Sequence, residues 1–470
     1  MKAFRYDLVV IGAGSGGYAA ARTARDLGAS VALVDHGPLG GLCILRGCMP
    51  SKTLLASSDA AAEIREDGEL GVSAEITRID LAQIMGRKRR LVEGWADHRI
   101  AGLRSFPLYE GQAAFESSTR LRVGDDVTLE AKSFILATGS VVAPPAVLGL
   151  EETGYIDSDA VLEADALPAS IVVLGGGYVG AELGQFLARM GVKTTFVVRA
   201  KHLLSQEDSD VGEAVTLYFR REGIDVRTGA VMTRVERRGD KKAVHFVCDG
   251  KQELVEADAI FYALGRVPNV AGLELARAGV TCHPITGIEV GPDLRTCVPN
   301  IFAVGDVTGV HPLVHVAIYQ GEIAARNAVT GSSEQADYSL QKTHTIFTDP
   351  QVAIAGATEK ELERAGIPYL TGAYLFSEHG KAVAINKTKG FVKMMASPSD
   401  GRILGAAIVG PDASDLIHEV IVALYYHGTV QEFAKIPHLH PTLAEILTYP
   451  AEDIAEQIAR REPDTVAATA

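Results

Sequence analysis

Cysteine is scarce in this chain: five residues in 470, an odd number that intramolecular disulfides cannot use up. That count does not suit a secreted scaffold held by disulfides, and it favours a compartment in which thiols stay reduced. Any disulfide here is expected to be catalytic rather than architectural. Long apolar runs are missing too. No stretch of about 18 residues is without charges or clustered glycines, so no membrane-spanning helix is expected. Nor is there a surplus of positive charge. With 45 Lys and Arg against 59 Asp and Glu, the formal net charge is −14, which opposes nucleic acid or an anionic membrane as the main partner. A local basic pocket for a small anion is still compatible with that balance. The start, "MKAFRYDLVVIGAGSGG", runs from a short apolar strand straight into a glycine turn, without a signal-peptide pattern. A cytoplasmic protein is the expectation.

Glycine, by contrast, is plentiful at 48 residues, as strand-to-helix turns of α/β units require. The length exceeds one ordinary core and points to several domains. Two segments read strand, glycine turn, helix, strand: "YDLVVIGAGSGGYAAARTARDLGASVALVD" and "SIVVLGGGYVGAELGQFLARMGVKTTFVVR". Together they form an internal repeat. Residues 55–104 carry charges at helical spacing, 108–136 reads as a small antiparallel meander, and Pro144–Leu167 has the texture of a boundary loop. From about Tyr338, strands alternate with a long helix over Ala413–His427, as in a separate α+β domain. After about Arg460 the composition is that of a frayed tail.

In the first repeat Gly12, Gly14 and Gly17 fill a G-x-G-x-x-G pattern between a strand and a helix, the context of a dinucleotide fold. The next strand ends at Asp35, eighteen residues after Gly17, where a carboxylate accepts hydrogen bonds from an unphosphorylated ribose. In the second repeat Gly175, Gly177 and Gly180 fill the pattern, and the following strand leads to Arg199. A guanidinium there suits a 2′-phosphate, with Lys201 and His202 able to join it. The first site is therefore expected to take a dinucleotide without a 2′-phosphate and the second to prefer NADP. "IFAVGDVTG", with Gly305 and Asp306, adds a strand end suited to a polyol.

Cys43 and Cys48 lie in "GGLCILRGCMPSK". Structural staple, half of a metal site, apolar filler and redox pair are the four readings. In an ideal helix, residues five apart have Cα atoms about 8.7 Å apart, beyond the disulfide limit of about 7 Å. A bond would need a broken turn, which Gly40, Gly41 and Gly47 permit. As a staple its ring is too small, contributing about 2.2 kcal/mol in the loop-entropy model against about 4.7 for a hundred-residue loop. A metal site needs two further ligands, and Cys248, Cys282 and Cys297 are scattered; no metal is expected. Beside two dinucleotide folds the redox reading is favoured. "HLHPTLAEI" offers His438, His440 and Glu445 as a proton handler with a carboxylate behind it.

These motifs, together with "ATGS", "GRVPN" and "AVGD", closely resemble those of the flavoprotein disulfide reductases, such as dihydrolipoamide dehydrogenase, glutathione reductase and mercuric reductase. The resemblance runs from Tyr6 to about Glu456. It implies an α/β fold of two Rossmann-like dinucleotide-binding domains, for FAD and NADP, plus a C-terminal α+β dimerisation domain. The implied parts are an FAD-binding part over 1–148, an NAD(P)-binding domain over 149–270, a second FAD-binding or central part over 271–337 and a dimerisation domain over 338–470. It also implies that Gly41, Thr138, Gly139 and Gly265 join the cofactor-binding residues. Hydride would pass from NADPH through FAD to a Cys43–Cys48 disulfide. By the resemblance Cys48 is the charge-transfer thiolate beside the flavin and Cys43 the interchange thiol. His440 is the acid–base, held by Glu445 and delivered across a homodimer. Lys52 and Glu182 resemble the ion pair beside the flavin, and Tyr178 the gate over the nicotinamide pocket.

Departures from the family pattern bear on the substrate. Leu42 and Leu45 replace the usual Thr and Asn, Arg46 stands between the cysteines, and Glu322 disfavours glutathione. The tail carries no paired cysteines of the kind that pass mercury inward. The expected reaction is NADPH-dependent reduction of a small, lipoamide-like disulfide. The alternatives are reduction of mercuric or cupric ions or quinones, and a dihydrolipoamide dehydrogenase subunit docked in a larger assembly.

Overall fold

The computed structural model describes residues 2–461. The expected frayed tail falls mostly on 462–470, outside the described residues. Two compact units result: one is Met1–Leu54, Leu81–Pro144 and Gly265–Asp337, and the other is Leu55–Asp80, Pro145–Leu264 and Tyr338–Ala470.

The first unit grows from β1 (Lys2–Ile11), α1 (Ser15–Asp26) and β2 (Val31–Asp35). In β1 the side chains alternate between faces, as strand geometry requires. Val9 and Ile11 pack with Val34, Phe115 and Phe134 on one side, whereas Leu8 and Val10 pack with Ala20, Ala24 and Ile323 on the other. A strand apolar on both faces belongs inside a parallel sheet covered on both sides, and β1 pairs in parallel with β2 and with β6 (Val127–Leu136). The sheet order is β3-β2-β1-β6-β5-β4, where β3 is Leu108–Glu110, β4 Ala113–Ser117 and β5 Arg120–Val123; strand Ile301–Ala303 joins β6. The meander expected over 108–136 is thus shorter. Only β4, β5 and β6 are antiparallel neighbours, and β3 pairs in parallel beside β2. Helix α1 packs on helix Val314–Thr330 with no room for side chains between. A Cβ on Gly321 would lie 2.3 Å from the Gly16 carbonyl oxygen.

In the second unit the strands Asp225–Arg227, Lys193–Val197, Ser170–Leu174 and Ala259–Tyr262 form a four-stranded parallel sheet in that order. A three-stranded antiparallel meander spans 231–257. The boundary stretch 144–167 carries two short helices, Leu150–Thr153 and Ser158–Leu162. The C-terminal part is a five-stranded antiparallel sheet with its own core, packed by helices Ala413–Tyr425 and Thr448–Ala459. The first of these helices stops two residues before its expected end, and His427 takes a left-handed backbone, φ 55°. Among the described residues, no helix is long and apolar enough to cross a membrane.

Candidate active site

The two glycine turns adopt the same geometry, each acting as a control on the other. A Cβ on Gly12 would lie 2.3 Å from the Ala137 carbonyl oxygen, and one on Gly175 2.6 Å from that of Ala263. Both glycines have positive φ, 99° and 108°, so a side chain at either is excluded on two counts. Gly17 and Gly180 press on the carbonyls of Gly12 and Gly175, Gly17 the more closely: a Cβ would lie 1.9 and 2.8 Å from those oxygens. The middle glycines, Gly14 and Gly177, differ: a Cβ there would meet nothing within 4 Å. Each turn is thus tight against its own sheet and open on its outer side, where a pyrophosphate would approach the N-terminus of the following helix.

Asp35 at the end of β2 is held by the first turn. Its carboxylate accepts the Ala13 N–H at 2.7 Å and the Gly37 N–H at 2.8 Å. Three motifs remote in sequence meet in this unit. Thr138 Oγ1 donates to the Asn269 carbonyl at 2.7 Å, and the Asn269 N–H donates to the Gly139 carbonyl at 2.9 Å. Ser140 Oγ donates to Asp306 at 2.7 Å, and Arg266 Nε donates to Ser140 Oγ at 3.0 Å. The Gly305 N–H is taken by buried Gln320 at 2.6 Å. "ATGS", "GRVPN" and "AVGD" therefore form one hydrogen-bonded cluster. Positions Gly139 and Gly265, like Gly14, have open space where a Cβ would stand. Gly41 closes on Gly14, where a Cβ would come within 2.8 Å of its Cα. A cradle of glycines with oriented carboxylates at Asp35 and Asp306 fits the pyrophosphate and polyols of FAD.

The cysteines sit on two successive helices, α2 (Leu42–Arg46) and α3 (Cys48–Glu66), broken at Gly47, whose φ and ψ are −134° and −121°. That break is what an unbroken helix would have denied the pair. No disulfide joins them, and the Cys43 thiol hydrogen-bonds Cys48. The bond to Cys48 and then burial push Cys43 well above the ordinary thiol range, while the nearby Arg99 guanidinium pulls it down. Cys43 therefore keeps its proton while it faces Cys48. Arg99, on α4 (Leu81–Leu103), was not singled out by the sequence. Its guanidinium lies over the Tyr18 ring at 4.8 Å, and its buried Nη1 has no hydrogen-bond partner among the described residues. Arg46 is exposed, and so are Cys282 and Cys297; Cys248 is half-buried with its thiol 3.4 Å from the Thr228 carbonyl.

Lys52 lies on the first turns of α3 in the first unit; Glu182 lies on helix Tyr178–Arg189 in the second, where it accepts the Phe347 N–H at 2.9 Å. Tyr178 opens that helix, and its hydroxyl donates to Glu207. Arg199 and Lys201 are both exposed on the loop after strand Lys193–Val197. His202 departs from the expectation of a shared phosphate contact: it is buried, with Nδ1 2.8 Å from the Leu203 carbonyl. His440 Nδ1 lies 2.9 Å from Glu445 Oε1, and Glu445 also accepts the Thr442 N–H at 2.9 Å. These contacts hold Glu445 below the usual carboxylate range, the Thr442 amide first and His440 second. The dyad faces outward: the His440 side chain is 83% exposed. Among the described residues, one carboxylate cluster has metal-like spacing, Asp208, Asp210 and Glu359. The Lys393 ammonium occupies its centre, 3.0, 2.8 and 2.6 Å from the three carboxylates.

Residues 6–321 match the model of the pyridine nucleotide-disulphide oxidoreductases, and 343–451 that of their dimerisation domain. The chain belongs to this family. It is 35% identical over 457 residues to the dihydrolipoyl dehydrogenase of Geobacillus stearothermophilus, covering 96% of each chain. To the mercuric reductase of Bacillus cereus it is 32% identical over 446 residues, 94% of this chain and 70% of that one. Among solved structures, the HOCl-induced flavoprotein disulfide reductase RclA of Escherichia coli superposes with a TM-score of 0.84 at 25% identity, covering 95% of this chain and 99% of that one. A variant of that reductase has also been solved as a Cu(II) complex, similar to this chain at 25% identity with a TM-score of 0.84. The protein is thus a flavoprotein oxidoreductase acting on sulfur groups, of a family that works with FAD and a pyridine nucleotide.

Proposed function

We propose that this enzyme uses NADPH to reduce a small disulfide through Cys43 and Cys48. The observation that carries the reading is the hydrogen-bonded cysteine pair on the broken helix, in the same unit as the glycine cradle. The cradle of Gly12, Gly14, Gly17, Asp35, Gly41, Thr138, Gly139, Gly265, Gly305 and Asp306 would hold FAD. Bound FAD supplies the two-electron relay between nicotinamide and cysteines. Lys52 and, by the resemblance alone, Glu182 are each assigned to its surroundings. The second turn, with Gly175, Gly177 and Gly180, takes the nucleotide pyrophosphate; Arg199 and Lys201 take the 2′-phosphate, and Tyr178 covers the nicotinamide pocket. On this reading the chain divides near residues 148, 270 and 337 into FAD, nucleotide, central and dimerisation parts.

The residues then divide the thiol chemistry. His440 takes the Cys43 proton as that sulfur attacks one sulfur of the substrate disulfide, forming a mixed disulfide, and returns the proton to the thiolate expelled. The Cys48 thiolate attacks Cys43, expels the second thiolate and closes the Cys43–Cys48 disulfide. Glu445 fixes the His440 tautomer and steadies its charge. An exposed dyad needs a partner surface; Leu439 (80%), next to His440 in the chain, and Tyr425 (63%) and Tyr426 (76%), at the end of helix Ala413–Tyr425, are also exposed. Exposed large apolar groups of this kind suit an interface, and the matched dimerisation model supports a homodimer, in which His440 would serve the other subunit.

A second reading, reduction of metal ions, draws support from the mercuric reductase similarity and from the Cu(II) complex of the RclA variant. NADPH oxidation by the purified flavoprotein with lipoamide as acceptor, with NADH in parallel, decides between them. Fast NADPH-dependent turnover that Cys43→Ser abolishes supports the first reading. Inert lipoamide with rapid reduction of Cu(II) or Hg(II) supports the second.

A further inference from the structure

Tyr178 is tied down by two residues that the reaction outlined above does not use. Its hydroxyl donates to Glu207, a carboxylate whose side chain is 2% exposed. The same oxygen, Glu207 Oε1, lies 3.0 Å from His344 Nε2. The His344 ring stacks on the Tyr178 ring, with centroids 5.6 Å apart and planes at 26°. Its other nitrogen, Nδ1, faces the Lys342 carbonyl at 3.3 Å. Both ring nitrogens therefore point at acceptors. A neutral imidazole carries a single N–H and satisfies one of them; the imidazolium satisfies both. A buried carboxylate also requires a counter-charge, and His344 is placed to supply it.

The remaining charges nearby belong to the helix Glu359–Ala365 and to the turn before His344. Glu361 is paired with Lys342 at 2.9 Å, and the Lys360 ammonium sits on the Glu207 backbone carbonyl. Burial alone would lower the proton affinity of His344. The bond to Glu207, its charge, the Lys342 carbonyl and the more distant Glu361 together outweigh burial and raise it above the ordinary histidine value.

We propose that His344 and Glu207 form an ionic anchor that holds the Tyr178 ring in place, so that nucleotide entry must break it. This rests on the reading of Tyr178 as the gate over the nicotinamide pocket. While His344 is protonated, the ring is held by a charge-assisted hydrogen bond and by stacking, and the open state is a minor population. Apparent nucleotide affinity is reduced by the fraction that is open. When His344 loses its proton, Glu207 loses its counter-charge, the stack loses its cation, and the gate is released.

The test is anaerobic stopped-flow reduction of the FAD-loaded enzyme by NADPH, read as apparent Kd and limiting rate across the neutral pH range. Glu207→Gln and His344→Gln should each lower the apparent Kd about three- to tenfold at the acidic end, the difference between a charge-assisted hydrogen bond and a neutral one returned to binding. In the wild type the apparent Kd should fall as pH rises through the His344 titration, and His344→Gln should flatten that dependence. Tyr178→Phe keeps the ring, loses the hydroxyl and should match Glu207→Gln; it replaces that variant if the latter does not fold. An unchanged Kd and pH profile in all three variants overturn the anchor. Tyr178→Ala separates the causes. If it alters the kinetics while the anchor variants do not, the gate stands and the anchor falls. If it too changes nothing, the gate reading fails and the anchor with it.

Discussion

The Cys48 backbone amide and, after it, the Arg99 guanidinium oppose the Cys48 thiol and burial in setting the proton affinity of Cys43. Because Arg99 pulls the Cys43 thiol down, its removal should let that thiol rise further and leave less thiolate at neutral pH. Arg99→Gln is expected to move the pH–rate profile of disulfide reduction to higher pH. At neutral pH the rate should fall about tenfold for each unit the profile moves; a profile that stays in place would deny Arg99 this role. On the proposed reading, Arg199 would carry the nucleotide choice in the same local way. Arg199→Ala should raise the KM for NADPH about ten- to a hundredfold, the cost of a lost charge-assisted contact, and leave NADH kinetics alone. Equal losses with both nucleotides would remove Arg199 from the 2′-phosphate. The two residues differ in how legible they were. Arg199 follows a repeat whose spacing gives it meaning. Arg99 is one of many charges on a helix and acquires its place only when α4 packs on α2.

At the scale of elements, α3 passes from the cysteines into a cluster of ionic contacts. In the second unit Asp59 lies 2.6 Å from Arg189 Nη1, and Arg189, fully buried, also holds Glu222 and Asp349. Burial, reinforced by the charge of Asp349, pushes Asp59 up to about 6 in spite of Arg189. An acid whose folded pKa exceeds its unfolded value binds its proton more tightly in the folded state. Its charged form therefore detracts most from stability above about pH 6, and the deficit fades as pH falls from there to the ordinary value of 3.8. Asp59→Asn, which keeps an oxygen for Arg189, should stabilise the fold by on the order of 1 kcal/mol at neutral pH, after allowance for the side chain's partial exposure. The gain in Tm should shrink in acid; a loss at every pH would make Asp59 a net stabilising partner. This cluster was illegible in the sequence because its members lie on four separate segments with no common pattern. The glycine turns were legible for the opposite reason. Their geometry is dictated by residues five apart, and the same pattern recurs with the same packing in both copies. The placement of β3 was missed because its pairing with β2 depends on the long α4 excursion between them, not on local alternation.

For the whole molecule, the role proposed for His440 raises the question of which cysteine pair it would serve. His440 and Glu445 lie in one compact unit, Cys43 and Cys48 in the other, and the His440 side chain is exposed, as is the adjoining Leu439. A two-fold homodimer makes each interface patch self-complementary and gives the molecule two equivalent sites. If each site takes its cysteines from one subunit and His440 from the other, two inactive variants should complement. A Cys43→Ser subunit paired with a His440→Ala subunit has one site with both cysteines and an intact histidine. The other site lacks both Cys43 and His440. Random mixing makes half of the dimers hybrids, so the mixture should recover about a quarter of wild-type disulfide reductase activity, whereas either variant alone is nearly inactive. If His440 acted on its own subunit's cysteines, every hybrid would hold one defect in each site and no activity would return. Co-expression with two affinity tags, followed by purification of the doubly tagged dimer, removes the statistical dilution. The hybrid should then show about half the wild-type rate per dimer, and a single native-mass species should carry it.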